Sequence, residues 1–220
     1  MEVLFVQTHS HLRSWKIAKA LKKHGINVDM AYTSSSIDRF YKGLKDDVYR
    51  NLYKITTIQK LRELAETYRI VHSFNEPDEL TVWLKGIKTV LIHDTADMIS
   101  LRPSWDEEKQ KNLREKERIA NRCSDGRIYT CEFTRETAAK MYGIDKNRSL
   151  VYSNYVNEED IPTPLPDRIN AEGVHLVYEG GLNKEGTHRD FRDIFKLLTD
   201  AGIYIHVYPP KHNAVYAEFL

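Results

Sequence analysis

Short apolar runs alternate with amphipathic segments along the first 155 residues of the chain. Residues 3–6 form an apolar run, and the segment after it places Ile17, Ala18 and Leu21 on one helical face before Gly25. Short apolar runs predict buried strands, and a spacing of three to four residues predicts a helix. The pattern predicts strands at 3–6, 26–32, 70–72, 89–92, 127–129 and 150–152, helices at 14–24, 57–68, 77–85, 106–122 and 134–142, and an irregular segment at 33–54.

Strands separated by helices at this spacing predict repeated βαβ units and a doubly wound, Rossmann-like parallel sheet of the α/β class. An acidic, proline-containing stretch then interrupts the alternation, as an interdomain linker would. After it the pattern restarts with a strand at 174–178, a helix at 188–201 and a strand at 203–207, which predicts the first βαβ unit of a second Rossmann-like domain. The predicted division is an N-terminal domain at 1–156, a linker at 157–173 and a partial C-terminal domain at 174–220.

Charge and composition narrow the function classes. The 33 basic and 32 acidic residues nearly cancel, so we expect no nucleic-acid partner. Cys123 and Cys131 lie in no metal-binding spacing, and we expect both thiols to be reduced and buried. The first apolar run is too short for a signal peptide, and no run is as long as a membrane span. We therefore expect a cytoplasmic protein, a location that allows peripheral contact with the inner face of the membrane.

Candidate chemistry collects where the predicted strands end. In an open parallel sheet, ligands bind beyond the carboxyl ends of the strands. Polar residues end or follow three of the first four predicted strands. They are His9 and His11 at the first, His72, Asn75 and Glu76 at the third, and His93, Asp94 and Asp97 at the fourth.

The stretch VLIHDTADMISLRP, residues 90–103, allows three interpretations. His72, His93, Asp94 and Asp97 could hold a metal ion, although no metal-ligand spacing supports this. His93 or Asp94 could act as an acid or base in a cleft. Alternatively, His93 is a hydrogen-bonded histidine at a strand end, and Asp94 or Asp97 caps the next turn.

Common nucleotide-binding and hydrolase motifs are missing from the sequence. There is no GxGxxG after the first strand, no GxxxxGK[ST] and no GxSxG, which argues against dinucleotide dehydrogenases, P-loop NTPases and α/β-hydrolases. Gly180 and Gly181 lie between a predicted strand and helix, where bare backbone N–H groups can receive a phosphate. Lys184 and Arg189 follow closely and could neutralise its charge.

Five segments, in this order, resemble the GT-B fold glycosyltransferases of the family 4-like group: VHSFNEPDEL, VLIHDTADMISLR, ANRCSDGRIYTCEFTRETAAKMYGI, LVYSNYV and VHLVYEGGLNKEGTHRDF. The resemblance covers about residues 1–210. It implies two Rossmann-like domains on either side of a cleft, with a glycan or lipid-linked acceptor on the first and a nucleotide-sugar donor on the second. It implies no metal and no cofactor, since the nucleotide-sugar is itself a substrate.

The resemblance also implies roles for the candidate residues. His93 and Asp94 would be catalytic, with His93 near the donor sugar. Replacing His93 with alanine in the completed enzyme should reduce turnover and leave folding nearly intact. Gly180, Gly181, Lys184 and Arg189 would bind the donor diphosphate, and His9, His11, Asn75, Glu76 and Asp97 would line the acceptor side of the cleft.

The sequence departs from the family pattern in three places. The loop after the first strand, THSHLRS, is not glycine-rich, and Leu182 follows Gly181 where the family has arginine. The chain also ends before the family's paired glutamates, E-x7-E, so we expect a C-terminally incomplete enzyme with weak or no transferase activity. Two alternatives are a nucleotide-sugar epimerase of the same architecture and a non-catalytic binding protein.

Overall fold

The chain contains two compact units, Met1–Tyr155 and Val156–Leu220. A computed structural model describes residues 2–35, 46–75, 77–102, 107–155, 172–182 and 190–208. The boundary between the units lies one residue before the predicted domain boundary. Most of the predicted linker, residues 157–171, lies outside the described residues.

The first unit is built on a seven-stranded parallel sheet with the order β3-β2-β1-β4-β5-β6-β7. This order confirms the predicted Rossmann-like, doubly wound sheet. The sequence pattern missed β3, whose three residues, LYK, are too few to show an alternation. The strands are β1 (Glu2–Gln7), β2 (Asn27–Tyr32), β3 (Leu52–Lys54), β4 (Ile70–Phe74), β5 (Val90–Thr95), β6 (Gly126–Tyr129) and β7 (Ser149–Val151).

In the described ranges of the first unit, five α-helices connect these strands, and their ends follow local capping chemistry. The hydroxyl of Thr57 accepts a hydrogen bond from the backbone N–H of Lys60, which fixes the start of the second helix. The fifth helix stops at Gly143, whose φ of 62° few residues other than glycine adopt easily. The helices are α1 (Leu12–Lys23), α2 (Ile58–Ala65), α3 (Glu79–Trp83), α4 (Glu107–Cys123) and α5 (Glu132–Tyr142), with short 3₁₀ helices at Asp46–Val48, Ile99–Leu101 and Lys146–Arg148.

Side chains alternate along each strand, so neighbouring residues of a strand point to opposite faces of the sheet. A buried cluster covers the central strands on each face. On one face, Phe5 and Phe74 pack in a cluster with Ala18 of α1. On the other face, Leu4 and Leu91 belong to a cluster that includes residues of α2 and α3. The two faces of each central strand therefore have different neighbours.

Strand β5 continues beyond its predicted end at residue 92. It runs through Thr95, so His93 and Asp94 lie inside the strand rather than after it. His93 pairs in register with Ser73 of β4, and Asp94 pairs with Phe74. The polar side chains did not end the strand because each of them finds buried partners on its own face of the sheet.

The two cysteines lie in different environments. Cys123 is half-buried at the end of α4, and burial raises the pKa of its thiol. Cys131 is exposed just before α5, so the prediction that it is buried was wrong. Its sulfur lies 3.5 Å from the Thr134 hydroxyl, and this contact lowers the pKa of the Cys131 thiol. Both thiols are free.

The second unit contains the predicted βαβ element. Strands β8 (His175–Glu179) and β9 (Tyr204–Tyr208) pair in parallel, and helix α6 (Arg192–Asp200) lies between them in sequence. The helix begins four residues later than predicted. Among the described residues of both units, no helix is both long and apolar enough to cross a membrane.

Candidate functional site

A pocket of about 400 Å³ lies at the carboxyl ends of β1, β4 and β5 in the first unit. The strand order reverses between β1 and β4, and open α/β sheets bind ligands at such a reversal. Its volume is within the range of small-molecule sites. Polar and charged side chains in its lining include Gln7, Arg13, Lys16, Asn75, Asp97 and Asn154.

Helix α1 directs its N-terminus to this pocket. His11 and Leu12, at the start of the helix, both line the pocket. The Ser14 hydroxyl accepts a hydrogen bond from the backbone N–H of His11 and donates one to its carbonyl, which fixes the first turn. That turn contains no acidic residue, so no carboxylate within it offsets the partial positive charge of the helix end.

Arg13 lines the pocket and forms several contacts there. Its side chain is 9% exposed, and its Nε donates to Asp94 Oδ1 over 3.0 Å. Its Nη1 donates to the Tyr152 carbonyl and to Asn154 Oδ1, and the guanidinium lies 5.0 Å from the centre of the Tyr152 ring. Its Nη2 is buried and has no partner among the described residues.

Asp94 is fully buried behind Arg13, on the α1 face of the sheet. Its second oxygen, Oδ2, lies 3.2 Å from Nε2 of His72. The His72 ring stacks on Phe74 with a centroid separation of 4.1 Å and contacts Phe5 edge to face. The side chain of the predicted residue Asp94 therefore contacts the pocket-lining residue Arg13, which sequence reasoning missed.

His93 lies on the opposite face of the sheet and is also fully buried. Its Nδ1 lies 2.9 Å from the Thr81 hydroxyl, and its Nε2 lies 3.1 Å from Asp78 Oδ1. His93 is not among the described residues that line the pocket. Its proposed contact with a donor sugar stays a prediction.

Three of the predicted acceptor-side residues, His11, Asn75 and Asp97, line the pocket. Asn75 accepts a hydrogen bond from the backbone N–H of Ala96 and donates one to the Asp97 carbonyl, so it holds the loop after β5 in place. Asp97 forms an exposed ion pair with Arg102 over 3.0 Å.

Of the other two predicted acceptor-side residues, His9 lies outside the pocket lining and Glu76 lies outside the described residues. His9 is buried, and its ring centre lies 4.2 Å from that of His11. Burial, with a smaller contribution from His9, lowers the pKa of His11 to about 4, so its imidazole is neutral at pH 7.

The glycine pair of the second unit follows β8. The Tyr178 hydroxyl donates to the Gly181 carbonyl over 2.8 Å, and a Cβ atom at Gly180 would lie 3.0 Å from that hydroxyl oxygen. Glycine at position 180 therefore allows the Tyr178 side chain to pack closely. Phosphate binding by the pair stays a prediction, and the predicted Lys184 and Arg189 lie outside the described residues.

The metal-site interpretation does not fit the geometry. His72 and Asp94 meet on the α1 face, but His93 lies on the other face. Within the described ranges, no group of three or more histidine, cysteine, aspartate or glutamate side chains could hold a metal ion.

Comparison with known proteins gives a likeness of fold. No protein-family model and no curated protein matches the chain. A crystal structure from Listeria monocytogenes, of a "putative UDP-N-acetylglucosamine 2-epimerase", matches with a TM-score of 0.56 and 12% sequence identity, over 100% of this chain and 71% of that one. Together with the strand order of the first unit and the βαβ element of the second, this likeness shows that the chain has a Rossmann-like α/β fold of the GT-B type.

Proposed function

We propose that this protein is a nucleotide-sugar-dependent glycosyltransferase, and that the pocket of the first unit binds its glycan or lipid-linked acceptor. The observation that carries the proposal is the position of the pocket at the reversal of strand order, in a chain with the GT-B type of fold. The donor is a substrate, so the proposal requires no cofactor.

The chemistry of the pocket supports this role. Sugars present many hydroxyl groups, and each one needs a hydrogen-bond partner when it leaves water. Hydrogen-bond donors and acceptors line the pocket on Gln7, Arg13 and Lys16. The side chain of Asn75 holds the loop after β5 in place through two hydrogen bonds. Positioning of the acceptor and electrostatic stabilisation of a leaving diphosphate account for transfer without a protein nucleophile.

A second candidate function is epimerisation of a nucleotide-sugar, which the likeness to the Listeria protein favours. Inversion of a sugar carbon by proton transfer requires a side chain that removes and returns the proton. The ionisable groups suited to this in the described lining are His11, with a pKa of about 4, and the exposed, ion-paired Asp97. The low pKa makes His11 a weak base at neutral pH, which argues against His11 as the group that removes the proton.

A panel of UDP-, GDP- and ADP-sugars tests the two functions in one experiment. Saturation-transfer NMR detects donor binding to the chain, and mass spectrometry with chiral separation follows the products with and without an oligosaccharide acceptor mixture. A transferase gives a larger glycan and free nucleotide diphosphate only when acceptor is present. An epimerase converts the donor into its epimer without acceptor. Because weak or no turnover is expected of this chain, donor binding is the deciding measurement: if no nucleotide-sugar gives a saturation-transfer signal, both candidate functions are contradicted.

A further inference from the structure

The pocket wall made by the end of β1 and the start of α1 contains buried polar atoms without partners. Gln7 is 3% exposed, and its Oε1 has no hydrogen bond among the described residues. The same is true of Nη2 of Arg13, whose side chain is nine-tenths buried. A buried polar atom without a partner is unfavourable, and both side chains line the pocket, so a ligand bound there could supply the missing partners.

These two atoms have opposite requirements. Oε1 of Gln7 accepts hydrogen bonds, so its partner must be a donor such as a hydroxyl group. Nη2 of Arg13 is a charged donor, so its best partner is an anionic oxygen. A ligand that satisfies both has at least one hydroxyl group and one negatively charged group.

The surrounding charges agree with an anionic group on the ligand. Lys16 lies on the same helix as Arg13, lines the pocket, and donates from Nζ to the Tyr155 carbonyl over 2.8 Å. The described lining has two cationic side chains, Arg13 and Lys16, of which Arg13 is paired with the buried Asp94 behind it. The carboxylate in the described lining, Asp97, is paired with Arg102. The N-terminus of α1 adds backbone N–H groups and partial positive charge.

We propose that this pocket selects a polyhydroxylated ligand with a phosphate or carboxylate group, with the anion at Arg13, Lys16 and the start of α1 and a hydroxyl group donating to Gln7. The inference rests on the proposed function in taking this ligand to be the sugar acceptor. Asp94 then has a positioning role, because its bond to Nε holds the guanidinium in place.

Isothermal titration calorimetry at low salt with glucose 6-phosphate, glucuronate and glucose tests the proposal on the 220-residue chain. We expect at least one anionic sugar to bind about tenfold or more tightly than glucose, the effect of one charge-assisted hydrogen bond. The tighter of the two anionic sugars identifies the group as phosphate or carboxylate. Equal binding of glucose, or no binding of any of the three, would overturn the proposal.

Two lysine variants on one helix provide a matched control. Lys16→Gln should weaken binding of the anionic sugar about tenfold. Lys19→Gln should leave it unchanged, because Lys19 lies outside the pocket lining and its Nζ sits 5.0 Å from the centre of the Trp15 ring. Equal losses in the two variants would mean non-specific attraction to a basic helix and would contradict the proposal.

Gln7→Leu separates the hydroxyl contact from the anion contact. It should weaken binding of the anionic sugar and leave binding of inorganic phosphate unchanged, with circular dichroism to confirm folding. Failure of this inference differs from failure of the proposed function. Transfer to uncharged acceptors alone would contradict the inference and leave the transferase proposal standing. Binding of an anionic sugar without binding of any nucleotide-sugar would support the inference and contradict the transferase proposal.

Discussion

His93 and Asp94 are neighbours in β5, both fully buried, yet their side chains meet different parts of the protein. Asp94 faces α1 and connects through Arg13 to the pocket, whereas His93 faces α3 and is enclosed there by Thr81 and Asp78. The alternation of a strand places adjacent residues on opposite faces, so a sequence motif of two adjacent polar residues does not define one site. Within the described part of the chain, Asp94 is linked to the pocket and His93 is not among the lining residues.

The largest expected effect comes from removing the buried ion pair between Arg13 and Asp94. Arg13→Met leaves the carboxylate of Asp94 buried without its cation, which should lower the free energy of unfolding by about 3–5 kcal/mol. Urea denaturation followed by circular dichroism measures this loss. The double variant Arg13→Met/Asp94→Leu removes both charges and should recover most of it. A single variant as stable as the wild type would show that the pair is not buried as described.

His93→Ala tests the other face of the strand and should have the next largest effect. Removing the ring leaves a cavity and takes a partner from Thr81, so we expect a loss of about 2–4 kcal/mol in the free energy of unfolding. This differs from the sequence-based expectation that folding stays nearly intact. Binding of an anionic sugar to the folded variant should be unchanged. Unchanged stability with reduced turnover would instead support the predicted catalytic role.

A smaller, pH-dependent effect should appear on the pocket side. The native pKa of His11, about 4, lies below its ordinary value of 6.5, because the ring is partly buried and near His9. The native state therefore resists protonation, and the corresponding stability is present above pH 6.5 and is lost as the pH falls toward 4. Partial exposure limits this loss to about 1 kcal/mol.

His11→Gln should remove that part of the pH dependence. Urea midpoints at pH 7.5 and pH 5 measure it, and the decrease between them should be smaller in the variant than in the wild type. His24→Gln, at the exposed end of the same helix, is the matched control for replacing a histidine. An equal decrease in wild type and His11→Gln would contradict the assignment.

The fold could be predicted from the sequence because each long element has its own local pattern. Apolar runs identified six of the seven strands of the sheet, and Gly143 correctly predicted where α5 ends. Strand β3 has no such pattern, since its pairing with β2 is what makes it a strand. The start of β8 and the extent of α6 were predicted to within a few residues, because an apolar run marks the strand and a three-to-four-residue apolar spacing marks the helix.

The candidate site could be predicted only in part. The rule that ligands bind at strand ends identified Asn75 and Asp97, which line the pocket. Arg13 was missed because its partner Asp94 lies 81 positions away, and no local pattern indicates a pairing over that distance. His93 was placed in a cleft because β5 was expected to end before it, whereas the strand continues as long as its side chains find buried partners.

The difference between the two cysteines has a practical consequence for these measurements. The Cys131 thiol is exposed and ionises more readily than usual, whereas the Cys123 thiol is half-buried and ionises less readily. Since thiolate is the reactive form, a maleimide dye added in limiting amount should attach at Cys131 first. Neither cysteine lines the pocket, so the natural sequence offers a position for a fluorescent reporter of unfolding without any engineered change.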